Sequence, residues 1–127
     1  VTSGDWVGGT LHLNVAWPPG PDRSNVLGRV LAAMRSVPQM SLVERVTSGP
    51  GHSGSSTYQL SGQTFIADEP YAAGVAADVH AEGPTSLTLF VPGSWIWVSL
   101  KLDAEDRIAS EIIVDPGHLI ERTFAYP

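Results

Sequence analysis

From Thr10 the chain alternates. Leu11, Leu13, Val15 and Trp17 fall on one side, and His12, Asn14 and Ala16 on the other. A period of two predicts a half-buried β-strand within residues 6–17. Pro18-Pro19-Gly20-Pro21 ends it, because proline cannot donate to a ladder. The period then changes. Val26/Leu27, Val30/Leu31, Met34 and Val37 recur at spacings of three and four, while Arg23, Arg29 and Arg35 fall off that stripe. This predicts one main helix over about 24–37, opened by Asp22 or Ser24 and stopped by Pro38.

Beyond the helix the period of two returns. Met40–Thr47 predicts a strand with Met40, Leu42 and Val46 on one face. Ser48–Ser56, rich in Ser and Gly, predicts a mobile, exposed loop. Thr57–Gly62 and Gln63–Ala67 predict two further strands. Residues 68–84 predict part loop and part strand around Gly74–His80, and Thr85–Val91 another strand. Pro92-Gly93-Ser94 is a tight turn into three closely joined antiparallel strands, 94–102, 107–114 and 118–126. Asp103–Asp106 and Asp115-Pro116-Gly117 supply their turns.

These elements predict an α+β fold, a curved antiparallel sheet (half-barrel) of about seven to eight strands wrapped over one main helix. Strands joined by short turns bury one face, and the helix is the element expected to cover it. At 127 residues the chain is expected to be a single domain, 1–127. It begins at Val1 rather than Met, which predicts a processed protein or an excised soluble part of a larger envelope or membrane protein.

Composition narrows the function classes. Thirteen acids against seven bases give a net charge of −6, which argues against nucleic acid and against charge-driven docking on anionic lipid. The absence of cysteine excludes disulfides, thiolate zinc sites and cysteine nucleophiles. No run of about 18 apolar residues marks a transmembrane helix. One lysine among many Ala, Gly, Val and Pro fits a GC-rich source genome.

Candidate chemistry is sparse. His12, His52, His80 and His118 show no ligand spacing, so a metal site needs residues distant in sequence to converge. His12, His80, His118, Met34 and Met40 are the set for copper. Asp103, Glu105 and Asp106 form a solvated turn that blunts the sheet rather than a calcium loop. Gly51-His52-Ser53-Gly54-Ser55 is no triad, and no phosphate loop precedes a helix. The chain is therefore expected not to be an enzyme and to need no cofactor. Trp95 and Trp97 oppose Ile96, Val98, Leu100 and Leu102, which makes both faces of that strand apolar. His118, Ile120, Arg122, Phe124 and Tyr126 share a face on the last strand. An arginine there is expected to pair with a buried acid such as Glu44 or Glu111.

The helix segment Leu31–Val37, the strand Ser41–Gly51 and the ending Val98–Asp103, Asp106–Ile108 and Pro116–Phe124 resemble lipoprotein-carrier-like domains of the LolA/LppX type. The ending also resembles C-terminal extracytoplasmic domains of actinobacterial copper-resistance D-type membrane proteins. The resemblance implies a half-open barrel that holds a lipid or other apolar ligand outside the cytoplasm. No binding residue is carried over from either family. The expected function is thus a non-enzymatic extracytoplasmic domain that binds an apolar small molecule, a lipid or a partner in a sheet/helix cleft. Trp95, Trp97, Phe124 and Tyr126 are its expected lining, and residues outside the chain its membrane tether. Two alternatives stay open: a copper-associated accessory or sensor domain, and a structural module with no ligand.

Overall fold

The computed structural model describes residues 3–7, 10–14, 24–72 and 78–127. Strands β1 (Ser3–Val7) and β2 (Thr10–Asn14) pair antiparallel as a two-stranded sheet of their own. β2 holds part of the strand expected within 6–17. Val15, Ala16, Trp17 and the expected cap Asp22 lie outside the described residues.

The main sheet has seven antiparallel strands in the order β4-β3-β9-β8-β7-β6-β5 and is not closed. These are β3 (Met40–Gly49), β4 (His52–Leu60), β5 (Asp78–Gly83), β6 (Ser86–Val91), β7 (Ile96–Leu102), β8 (Ile108–Asp115) and β9 (His118–Ala125). Two helices, α1 (Ser24–Arg35) and α2 (Gly62–Ala67), complete an α+β fold. The three closing strands fall where their alternation placed them, within one or two residues.

Two expectations are corrected. Ser48–Ser56 is not a loop: β3 and β4 form a hairpin that turns at Pro50-Gly51, where Gly51 takes φ +71°, a conformation that favours glycine. Small residues have weak strand preference, but a partner already alternating beside them fixes the ladder. Gln63–Ala67 is not a strand. Ser61 caps α2 by accepting a hydrogen bond from the Thr64 backbone N–H at 3.1 Å, and Gly62, Phe65 and Ile66 turn inward. A five-residue segment fits either period, and here the cap decides. Cover of the sheet is accordingly shared between α1 and α2.

One core joins the layers. Leu27, Val30, Met34 and Val37 meet Leu87, Leu89, Val98, Leu100, Ile108 and Phe124, with Phe65, Ile66 and Tyr71 from α2 and the segment after it. α1 ends two residues before Val37, where Val37 N–H bonds the Met34 carbonyl in a tightened last turn. The Gly62 N–H then bonds the Val37 carbonyl at 2.9 Å. The two helices approach so closely here that a Cβ at position 62 would overlap the Met34 carbonyl oxygen. At the β7–β8 turn Asp103 accepts from the backbone N–H of Glu105 and of Arg107, both at 2.9 Å, and from Arg107 Nε at 2.8 Å. Burial acts to raise the Asp103 pKa, but these donors together lower it. The acidic turn is thus an anchored structural turn, with Asp106 at φ 61° and 3.6 Å from Arg29.

Gly62→Ala should destabilise the domain by about 1–3 kcal/mol, because backbone cannot yield as a side chain can. Gly28→Ala, on an exposed helix position with open space around it, should stabilise by up to about 1 kcal/mol. Urea unfolding of both variants checks the pair; a neutral Gly62→Ala would contradict the close helix approach.

Candidate functional site

Sheet register builds the site. β9 lies between β3 and β8, and Arg122 is directly opposite Glu44 on one side and Glu111 on the other. All three side chains point to the core face, since Phe124, Leu42 and Ile113 alternate with them on that face. Arg122 Nε donates to Glu44 Oε2 at 2.8 Å, and Nη1 donates to Glu111 Oε1 at 2.8 Å. A third carboxyl arrives from the segment after α2: Nη1 also donates to Glu69 Oε1 at 2.6 Å. Tyr71, two residues on, donates its hydroxyl to Glu111 Oε2 at 3.0 Å. The expected partner of Arg122 is a buried acid, Glu44 or Glu111; it pairs with both, and Glu69 and Tyr71 join the cluster.

Three carboxyls about one guanidinium cannot all carry charge cheaply. The Glu111 side chain is 0% exposed and that of Glu69 4%. Burial, then repulsion from Glu111, pushes the Glu69 pKa up to about 10, more than Arg122 pulls it down. Glu69 is therefore a neutral acid at pH 7. Its buried Oε2 has no hydrogen-bond partner among the described residues, where a hydroxyl costs less than a charged oxygen. Burial, opposed by Glu111 and Glu69, leaves Arg122 more firmly protonated than usual. Burial and the same two acids hold Tyr71 well above the usual phenol range.

Above this cluster a groove of about 270 Å³ opens between α2 and strands β3 and β4. Leu42, Tyr58, Leu60 and Phe65 form its apolar walls, with Arg122, Glu44, Glu69 and Asp68 around them. Arg122 lies over the Phe65 ring at 5.6 Å, and Phe65 meets Phe124 edge-on at 5.0 Å. Arg122 Nη2 makes no hydrogen bond among the described residues. The site therefore offers a donor, an apolar wall and acids close together.

The four rings expected to line one cleft do not converge. Phe124 is core, behind Phe65. Trp97 stacks on Phe90 at 4.3 Å on the other face of the sheet. Trp95 precedes β7 in a left-handed conformation, φ 53°, and is 68% exposed with its edge toward Phe90. Tyr126 sits at the far end of β9, under Arg107 at 4.2 Å, and donates to the Ile108 carbonyl at 2.6 Å. Nothing local in the sequence marks Tyr58, Leu60 and Phe65 as a lining: the first two lie on an expected strand, and Phe65 in a segment expected as strand that is α2. Of the metal candidates, Met34 is buried, its sulfur accepts from Ile108 N–H, and the Tyr126 hydroxyl lies 3.2 Å from it. Met40 is core as well. His118 opens β9 beside Asp115, so the strand keeps it roughly 25 Å from Met34. The side chain of His12 lies outside the described residues. Among the described residues no three His, Asp or Glu side chains are placed to hold a metal, and no helix is long and apolar enough to cross a membrane.

Two outcomes test the cluster. Arg122→Met should cost about 3–5 kcal/mol by stranding buried acids, and Glu111→Gln in the same chain should recover much of it. Glu69 is raised in the folded state, so its contribution is full below about pH 4.5 and is lost as pH rises toward about 10. Glu69→Gln should therefore be progressively more stable than the parent across that window, in melts taken pH by pH; a constant difference would contradict a neutral Glu69. No protein-family model, curated protein or solved structure matches this chain.

Proposed function

We propose that the chain is a non-enzymatic, extracytoplasmic binding domain that takes one short apolar arm of a neutral, hydrogen-bond-accepting ligand. In this reading the seven-stranded sheet is a half-barrel over α1 and α2, and the ligand enters between α2 and the β3–β4 hairpin. An acyl ester or amide is the chemistry that fits, a lipid-like molecule tethered or free. Residues outside the chain would hold the domain at a membrane.

The observation that carries the reading is the unpaired Nη2 of Arg122 beside the apolar wall of Leu42, Tyr58, Leu60 and Phe65. An acceptor on the ligand satisfies that donor, while the arm covers the rings at about 25 cal/mol per Å². Formal charge selects against anions: with Glu69 neutral, Glu44, Glu111 and Arg122 sum to −1, and Asp68 adds another negative charge at the rim. Volume selects for a single arm, since about 270 Å³ is below the usual range for drug-sized ligands.

Three probes with one chain length separate these factors: methyl octanoate, octanoate and octylamine, each titrated into labelled protein and followed by amide resonances. Methyl octanoate should shift Tyr58, Leu60 and Phe65, with octanoate at least about tenfold weaker, the equivalent of ~1.4 kcal/mol. Equal binding of all three would remove the head-group argument. Silence of the groove toward every probe at millimolar concentration would remove the reading itself.

A further inference from the structure

We propose that two copies of this chain associate through β4, edge to edge, extending the seven-stranded sheet across a two-fold axis. β4 is an outer strand that, among the described residues, pairs only with β3. It is nine residues long, and every position from His52 to Gln59 is exposed. Its free side offers a row of backbone donors and acceptors.

Edge strands usually carry charged side chains that block further pairing, and β4 carries no Asp, Glu, Lys or Arg. From Thr47 to Ala67 the chain contains no Asp, Glu, Lys or Arg, in a protein with 20 such residues among 127. The opposite edge, β5, carries Asp78 and Glu82. Two copies that each bear −6 repel at most surfaces. β4 is a surface where backbone can meet backbone with no like charges opposed, and that neutrality is what selects a second copy as the occupant.

The strand is also self-complementary. An antiparallel pair centred on Ser56 places Tyr58 opposite Gly54 of the second copy, and Thr57 opposite Ser55. Tyr58 is 45% exposed, and the space beside Gly54 is open. A ring laid over a glycine across strands covers backbone that glycine leaves bare. Thr and Ser hydroxyls opposite each other add hydrogen bonds. The pairing shares Tyr58 with the groove but rests on the exposed edge of β4, whether or not a ligand binds there.

Sedimentation equilibrium over micromolar to millimolar protein tests it. The expected result is a concentration-dependent rise from 13.5 kDa toward twice that mass. Ser55→Glu with Thr57→Glu, which sets glutamates against each other, should weaken association by about tenfold or more. Thr123→Glu, exposed on central β9, should leave it unchanged, and melting curves establish that both variants fold. Because the parent lacks cysteine, Ser56→Cys should cross-link copies on mild oxidation and Thr123→Cys should not. A mass of 13.5 kDa at every concentration, or association indifferent to the paired glutamates, overturns the proposal. So does a monomer whose β4 amides shift only on adding an unrelated extended peptide, which would assign the edge to a different partner.

Discussion

Arg122 is the constraint around which the middle of this molecule is arranged. A guanidinium on the inner face of a sheet is costly unless each nearby charge is compensated. Its two cross-strand neighbours, Glu44 and Glu111, compensate it only in one register of β3, β9 and β8. A one-residue slip of β9 would turn Arg122 to the other face, away from both acids, and bring its neighbours inward. The ion cluster thus specifies strand alignment more than it contributes net stability. Glu69 and Tyr71 extend the same control to the segment after α2, which is held on the sheet by hydrogen bonds to Arg122 and Glu111.

What could be read beforehand follows from which interactions are periodic. The alternation of Ile120, Arg122 and Phe124 placed an arginine among core residues and so demanded a buried acid, and Glu44 and Glu111 were on strands of matching period. Glu69 follows a one-turn helix in a segment with no period, so nothing local marked it. α2 was hidden for a related reason: Gln63–Ala67 is too short for either period to win. The Ser/Gly run of β4 was misassigned because propensity there is weak and the partner strand β3 supplies the order.

The same logic explains the displaced site. Two-sided apolarity in residues 94–102 suggested a lined cleft, but Trp95 leaves the strand by a left-handed turn and Trp97 rests on Phe90. The groove instead forms where α2 crosses the β3–β4 hairpin. That crossing is a long-range property, and it recruits Tyr58 and Leu60 from a strand the alternation places correctly and Phe65 from a segment expected as a strand that folds as α2.

Charge ties the groove to the edge beside it. Within a few strands' width the molecule gathers two buried acids, Glu69 and Glu111, with the half-buried Glu44 and Arg122, yet it places no Asp, Glu, Lys or Arg along the exposed strand next to them. A buried, nearly balanced cluster has a field that falls off quickly, whereas acids along β4 would face both their own copy and any neighbour. An uncharged Ser/Gly/Thr strand is soluble through its hydroxyls and backbone alone. The edge therefore presents backbone donors and acceptors, while the groove behind Tyr58 presents a guanidinium and rings. Tyr58 belongs to both surfaces, so occupancy of either one bears on the exposure of the other.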